Sequence, residues 1–462
     1  MTISNSSIES GARVAPRPGL WRRIRSLVGM LLTARGTSAA AAQTMIARTL
    51  ILGINILTGV FSARLLGPAG KGEQVAIIAW AQMIPFCVTL GVPASLLFHA
   101  KSNPRDESRL FSAALLLAAG SGVVAGALGA AALPFWLRHF DHRAVLCSQL
   151  LMLSVPYSVI FYVAQSVIDV RAKFALENLM AMLIVLLSVL ALLALYVTGK
   201  VNSVTVALAY ALPGPAIGIF GVFYAIRVAR PQFRKLRQSA HTLLHFGLRY
   251  YVGDLFTVLV GFADQVLITG FLPAHMLGIY VVTASLCRML SLVQQSISVV
   301  LFPRVVGQPL NSIVEDVQRA ARVNVAISLL PAALIGLGAE RLIKLVYGPG
   351  FAPGTAIVWM LLAESLLGGV ARILSQAITS VGRPGMVTVL NSVQFAVSVM
   401  LALALLPRFQ IVGVAAAMVT GTTLRFALTI AFYPLVLGAP VPWLFPRRAD
   451  ARLVYQKLWG LS

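Results

Sequence analysis

Twelve times along its 462 residues the chain runs through about 20 mostly apolar side chains, the length a helix needs to cross the hydrocarbon core of a bilayer. The stretches lie near 44–66, 74–98, 110–135, 146–168, 176–197, 203–226, 247–271, 277–302, 323–339, 355–381, 385–407 and 411–437. Inside a bilayer every backbone N–H and C=O must be satisfied within its own segment, so runs of this length are predicted to be helices. The expected fold is all-α: a polytopic membrane protein of about 12 transmembrane helices. Connections are short and carry helix breakers, such as Gly67-Pro68, Asn103-Pro104, Pro273, Gly348-Pro349 and Arg383-Pro384. Only 227–245 and 304–322 are longer and polar, and neither is long enough for a soluble domain.

Composition agrees. Hydrophobic types make up 58% of the chain and charged types 11%, whereas soluble domains run near 45–50% and 25%. That excludes a soluble enzyme, a disordered scaffold and a disulfide-stapled secreted domain. Lys and Arg number 37 against 14 Asp and Glu, a formal +23. With the N-terminus inside, about 24 of the bases fall on the cytoplasmic side and about eight on the other, a positive-inside bias that places both termini in the cytoplasm. The remaining five arginines lie within the spans. The basicity is therefore read as topology and attraction to anionic membrane lipids, with no nucleic-acid partner.

The expected organisation is a cytoplasmic tail at 1–43, a six-helix lobe at 44–228, a basic cytoplasmic linker at 229–246, a second six-helix lobe at 247–438 and an interfacial tail at 439–462. Residues 1–18 have little to bury. Residues 20–32 do not form a cleavable signal, because Arg22, Arg23 and Arg25 interrupt the apolar run. Trp21, Ile24, Val28 and Leu31 instead recur at helical spacing, as in a helix lying on the inner leaflet. The linker around Phe233, Leu236, Leu243 and Leu244 reads the same way, as does the tail with Trp443, Phe445, Tyr455 and Trp459.

The two halves echo each other. Pro68-Ala69 followed by Gly72 ends the first span, and Pro273-Ala274 followed by Gly278 ends the seventh. Gln165 to Arg171 closes the fourth span as Gln376 to Arg383 closes the tenth, and Val204 to Leu212 matches Val412 to Thr420. The offsets nearly agree, which points to parallel repeats about an axis along the membrane normal, with substrate between the halves. Gly122 with Gly126, and Gly214 with Gly218, read as close-packing devices between helices.

Cys87, Cys147 and Cys287 each lie in an apolar run and read as small buried hydrophobes. His139 and His142 lack further ligands, so neither a metal nor a cofactor is expected. Gly67 to Gly72 lacks the spacing and the Ser or Thr of a nucleotide-binding loop, so ATP hydrolysis is not expected. Asp141 and Asp169 are isolated, which removes a membrane-embedded transferase.

Charges inside spans cost at least about 2.5–3.5 kcal/mol each at the centre and need a reason. Arg48, with Thr44 and Asn55 on one face, lies in span 1, and Arg249 begins span 7; both can also snorkel to headgroups. Asp254, Thr257, Gly261 and Asp264 share a face of span 7; Arg288, Ser291 and Gln295 share one in span 8. Glu364, Gly368, Arg372 and Ser375 line a face of span 10, and Arg425 lies mid-span in the twelfth beside Gly421, Thr422 and Thr429. Two readings stand: the acids and arginines brace the bundle by pairing, as Asp264 would with Arg288, or they line a polar translocation cavity. An arginine-bearing cavity suits an anionic group such as a phosphate, which guanidinium binds bidentately.

Ala63-Arg64-Leu65-Leu66-Gly67-Pro68-Ala69-Gly70-Lys71-Gly72 resembles the first-loop signature of the polysaccharide flippase branch of the multidrug/oligosaccharidyl-lipid/polysaccharide exporter superfamily. Gly91-Val92-Pro93-Ala94, Asp264-Gln265-Val266-Leu267-Ile268, Leu277-Gly278-Ile279-Tyr280, Phe302-Pro303 and Val346-Tyr347-Gly348-Pro349-Gly350-Phe351 resemble it in order and spacing. The likeness runs from about 44 to 437. It implies a V-shaped pair of six-helix lobes that moves undecaprenyl-diphosphate-linked oligosaccharide across the cytoplasmic membrane by alternating access, for surface polysaccharide synthesis. Lipid II flippases of the superfamily carry an arginine early in span 1, which Arg48 matches, though the number of spans and the span-1 spacing differ. In the multidrug branch, buried acids couple transport to protons or sodium; Asp254, Asp264 and Glu364 are counterparts by position.

The expected function is thus a lipid-linked oligosaccharide flippase of the inner membrane, not an enzyme. Its pathway residues are Arg48, Asn55, Arg249, Arg288, Gln295, Arg372 and Arg425, with Asp254, Asp264 and Glu364 for ion coupling. Its partners would be the lipid-linked substrate, membrane lipids and the polymerase and glycosyltransferases of the same route. The alternative is a cation-coupled multidrug exporter.

Overall fold

In the computed structural model the described residues are 37–444, and every regular element among them is helical. The helices are α1 (Thr37–Cys87), α2 (Val92–Ser102), α3 (Glu107–Trp136), α4 (His142–Leu151), α5 (Val155–Val170), α6 (Phe174–Val197), α7 (Ser203–Ala211), α8 (Pro213–Ala229), α9 (Leu236–Phe271), α10 (Ala274–Arg288), α11 (Ser291–Val305), α12 (Leu310–Val346), α13 (Thr355–Ser380) and α14 (Pro384–Phe432). The expected surface helix near Trp21 and the tail beyond residue 444 lie outside the described residues.

Nine helical segments among the described residues are long and apolar enough to cross a membrane, against the twelve stretches expected, and breaks explain the difference. Ala47–Cys87 has 41 residues and Pro384–Leu437 has 54, so each as one rod would measure about 60 to 80 Å, at least twice the thickness of a hydrocarbon core. Both double back. The first turns at Gly67, whose φ of 66° and ψ of −178° suit a residue without Cβ. Beyond the turn, Lys71 Nζ reaches Ser62 Oγ at 2.8 Å, across nine positions that a straight helix would spread over about 13 Å. The second turns at Gln410 (φ 48°, ψ −129°), so that Gly413 backs onto the carbonyl of Leu405. Helices α10 and α11, of 15 residues each, are individually short and abut across Met289-Leu290.

Helices α1 to α8 pack chiefly on one another, and α12 to α14 pack on α9, α10 and α11. The two groups meet where α9 and α10 lie against α1, α2 and α3. At one end of this seam Gly72 approaches Ala274 and Gly278, and Pro68 approaches Gly278 and Gly350. There Arg64 also donates to the carbonyls of Val346, at 2.7 Å, and Leu345. At the other end Gly91 meets Gly247, Tyr251 donates to the carbonyl of Cys87, and Phe98 stacks on Phe246 with centroids 4.6 Å apart. Helix α11 packs chiefly on α12 and α13.

The echo between the halves has a geometric counterpart. Asn178 on α6 donates to Thr44 on α1 at 3.0 Å, and Asn391 on α14 donates to Thr257 on α9 at 3.0 Å. Each pair is 134 positions apart in sequence. The turns before these asparagines match too: Lys173 N–H bonds to Ile168 C=O, and Arg383 N–H to Ile378 C=O. Gly122 and Gly126 fit against Pro156 and Met152, and Gly218 against Tyr157, as close-packing positions.

Candidate functional site

Four helices of the second half bring their polar residues to one place. Asp264 on α9, Tyr280 and Arg288 on α10, Glu364 and Ser365 on α13, and Gln394 and Thr422 on α14 line a cavity of about 30 Å³, room for a water molecule or two. Each arrives by local logic. Arg288 is the last residue of α10, where the negative end of the helix dipole favours a cation. The break at Met289-Leu290 stops the helix there and leaves the guanidinium at the cavity mouth. Asp264 is buried on the inward face of α9.

Arg288 Nη2 donates to Asp264 Oδ2 at 2.6 Å, with 46% of the arginine side chain exposed against 5% of the aspartate. The other Asp264 oxygen accepts from its neighbour, the Gln265 N–H, at 2.8 Å. The bracing pair weighed in the sequence is therefore formed, and it is one-sided: both carboxylate oxygens are engaged while 46% of the arginine side chain stays exposed. Arg425 makes the opposite arrangement. Its Nη1 donates to Gln394 Oε1 at 3.2 Å, and its Nε is buried without a partner. Gln394 in turn donates to Thr422 Oγ1 at 2.9 Å. Glu364 lies within electrostatic range of Arg288, Asp264, Arg372 and Arg425. Arg372, two turns along the same face of α13, is exposed. The cluster holds three guanidiniums against two carboxylates, an excess of positive charge at membrane depth.

The other expected residues are not part of it. Arg48 and Asn55 are exposed on the first arm of α1, in the other half of the molecule. Arg249 and Asp254 are exposed toward the Gly91 end of α9, and Gln295 is exposed on α11 with Ser291 at 3.5 Å. Thr257, on the Asp254 face, is taken by Asn391. Two amides at or beside the cavity carry no signal in the sequence. Gln394 orients Arg425, and Gln294, fully buried, donates to the carbonyl of Ser365 at 2.9 Å in space left by Gly369. A neutral amide in an apolar run gives no charge signal; the glycine opposite was the one clue.

Among the described residues no group of three or more His, Cys, Asp or Glu is placed to hold a metal ion. Cys147 and Cys287 are buried and Cys87 partly so, all as free thiols.

Comparison with known proteins gives this arrangement a context. The profile of a family described as polysaccharide biosynthesis protein matches residues 39–307. No curated protein sequence matches the chain. Among solved structures, the lipid II flippase MurJ in an inward closed conformation superposes with a TM-score of 0.73 at 10% identity, covering 90% of this chain and 91% of that one. An inward-facing multidrug resistance MATE family transporter of the MOP superfamily gives 0.64 at 14% identity, covering 85% and 98%. A MOP superfamily transporter from Pyrococcus furiosus, described by the reverse polarity of its binding pocket, gives 0.56 at 14% identity over 88% and 97%. At these identities the likeness is one of fold.

Proposed function

The chain belongs to the polysaccharide biosynthesis protein family, and on that premise we propose that it is a flippase for lipid-linked oligosaccharide. It is a multi-pass membrane protein with a fold shared by flippases and transporters, and flipping requires no covalent chemistry. The observation that carries the reading is the net positive charge of the guanidinium cluster: Arg425 with a buried, unpartnered Nε, Arg372 exposed beside it, and Arg288 paired with Asp264 yet 46% exposed. A diphosphate supplies the missing negative charge and matches guanidinium geometry.

In this reading the Gly72 end of the seam faces outward and the Gly91 end faces the cytoplasm, an orientation the distribution of Lys and Arg supports. In this reading a gap between α1 and α11, which do not pack extensively on one another, lets the lipid tail stay in the bilayer while the head group reaches the arginines. Arg48 and Asn55, on the α1 side of that gap, then meet the sugar or phosphate on entry; Arg249 and Gln295 lie at its inner rim. Asp254 and Glu364 remain the acids available for ion coupling, since Asp264 is held by Arg288.

A cation-coupled drug exporter is the second reading, and the excess positive charge of the cluster disfavours it, because a cationic drug calls for acids. Deleting the gene separates the two. Loss of an exported polysaccharide, with its lipid-linked precursor accumulating inside, supports the flippase. Unchanged polysaccharide together with new drug sensitivity would overturn it.

A further inference from the structure

A second ionisable site lies in the first half of the molecule, apart from the arginine cluster. Lys71 sits in the second arm of α1, immediately before the glycine that closes the seam, and is only 7% exposed. Its Nζ donates to Ser62 Oγ at 2.8 Å and to Gln74 Oε1 at 2.8 Å, and it stands 5.7 Å from the centre of the Tyr210 ring. Tyr210 Oη is 3.5 Å from Ser62 Oγ. Thr58, Ser62 and Gln74 are themselves buried. Every partner is neutral.

The charged groups near this end are engaged elsewhere or exposed. Glu73, two positions along, is bonded to Ser203 on α7. Arg64 is turned to the carbonyls of Leu345 and Val346, and Lys200 and His275 are exposed. Helices α4, α6, α7, α9 and α10 pack on α1, α6 bringing the phenol of Tyr196 against Phe61, and among the described residues no carboxylate from any of them is bonded to Lys71. A buried ionisable residue ordinarily pairs with a counter-charge, and among the described residues Lys71 is bonded only to the neutral Ser62 and Gln74.

The cage suits an amine in either state. An ammonium donates to Ser62, Gln74 and the face of Tyr210. A neutral amine still donates to Gln74 and accepts from the hydroxyl of Ser62, which can rotate. Arginine could not play this part, because it keeps its proton; lysine exchanges one. We propose that Lys71 is a proton-binding site that couples protonation to the seam beside it. With the seam open, water at the Gly72 end delivers a proton to Nζ. Closing Gly72 onto Gly278 over a charged ammonium would strip its hydration with no ion to replace it, so the proton returns to water before closure. Acidification on the Gly72 side would then hold the seam open.

The inference does not depend on the identity of the substrate, and its test uses none. The full-length chain, with its three native cysteines replaced by alanine, carries spin labels at Lys200→Cys and Arg341→Cys, on the two halves at the Gly72 end, in lipid nanodiscs. The expected result is a shift toward longer distances as pH falls, lost in both Lys71→Met and Lys71→Arg. Lys71→Met should stay at the short distance and Lys71→Arg at the long one, so a folded variant is informative in either direction. A pH-dependent shift that survives at full size in Lys71→Met overturns the proposal, as does a parent protein whose distances ignore pH. Binding of lipid-linked oligosaccharide to the same samples reports on the flippase reading separately.

Discussion

Gly72 and Gly278 occupy each other's side-chain space. A Cβ on Gly72 would strike the carbonyl of Ala274, and a Cβ on Gly278 would strike the carbonyl of Pro68. The contact is reciprocal, as across an internal two-fold axis, and its four participants come from the two Pro-Ala…Gly strings that repeat in the sequence. Valine at either position should therefore open this end. Overpacking a tight contact costs about 1–3 kcal/mol, a change of about 5- to 150-fold in the population of the closed seam. A disulfide trap across the seam, or the spin-label distances described above, measures it; Gly59, with open space around it, is the control position and should tolerate alanine.

Arg425 should be indispensable for transport and dispensable for accumulation of the protein. Arg425→Ala is expected to abolish polysaccharide export at normal protein levels. Arg425→Lys, which keeps the charge but not the planar fork, should retain a minor fraction. Normal export from the alanine variant would remove the arginines from the pathway.

The Asp264–Arg288 pair predicts an asymmetry. Arg288→Ala leaves a carboxylate that is 5% exposed without its cation, at a cost of about 3 kcal/mol or more. Asp264→Asn leaves a guanidinium that is already 46% exposed and should cost about 1–2 kcal/mol. Thermal unfolding in detergent should rank the two variants in that order, and the double variant should recover part of the larger loss.

Removing Asn178 or Asn391 tests the repeated hydrogen bond. Asparagine to alanine should cost about 0.6 to 1.7 kcal/mol at each site, the range for hydrogen bonds between membrane helices. The two losses should add, because the sites share no partner. A markedly larger effect of Asn391→Ala would mean that Thr257, on the face shared with Asp254, does more than hold a helix.

The apolar runs made the all-helical membrane fold legible at once, since length and hydropathy leave a bilayer-spanning chain few options. Helical periodicity also placed Asp264, Glu364, Arg372 and Arg425 on inward faces, and it anticipated the pairing of Asp264 with Arg288. Periodicity does not say which helix lies opposite, so it gives no separation between Arg48 and Asn55 on α1 and the cluster that the fold assembles in the other half. Gln294 and Gln394 were silent because an amide disturbs hydropathy little. Lys71 was visible only as a letter in a loop signature; its burial follows from the reversal at Gly67, which folds the second arm of α1 back beside Ser62.

Trp136 donates its indole N–H to the carbonyl of Val266 at 2.9 Å, stands edge-on to Trp80 at 5.6 Å and touches Phe271 at 6.2 Å. One indole of the six in the chain is thus stitched across the seam, bonded to one half and packed edge-on against Trp80 in the other. Its fluorescence is a built-in optical gauge: separation of the halves breaks the hydrogen bond and wets the ring, so emission should redden without any label being attached.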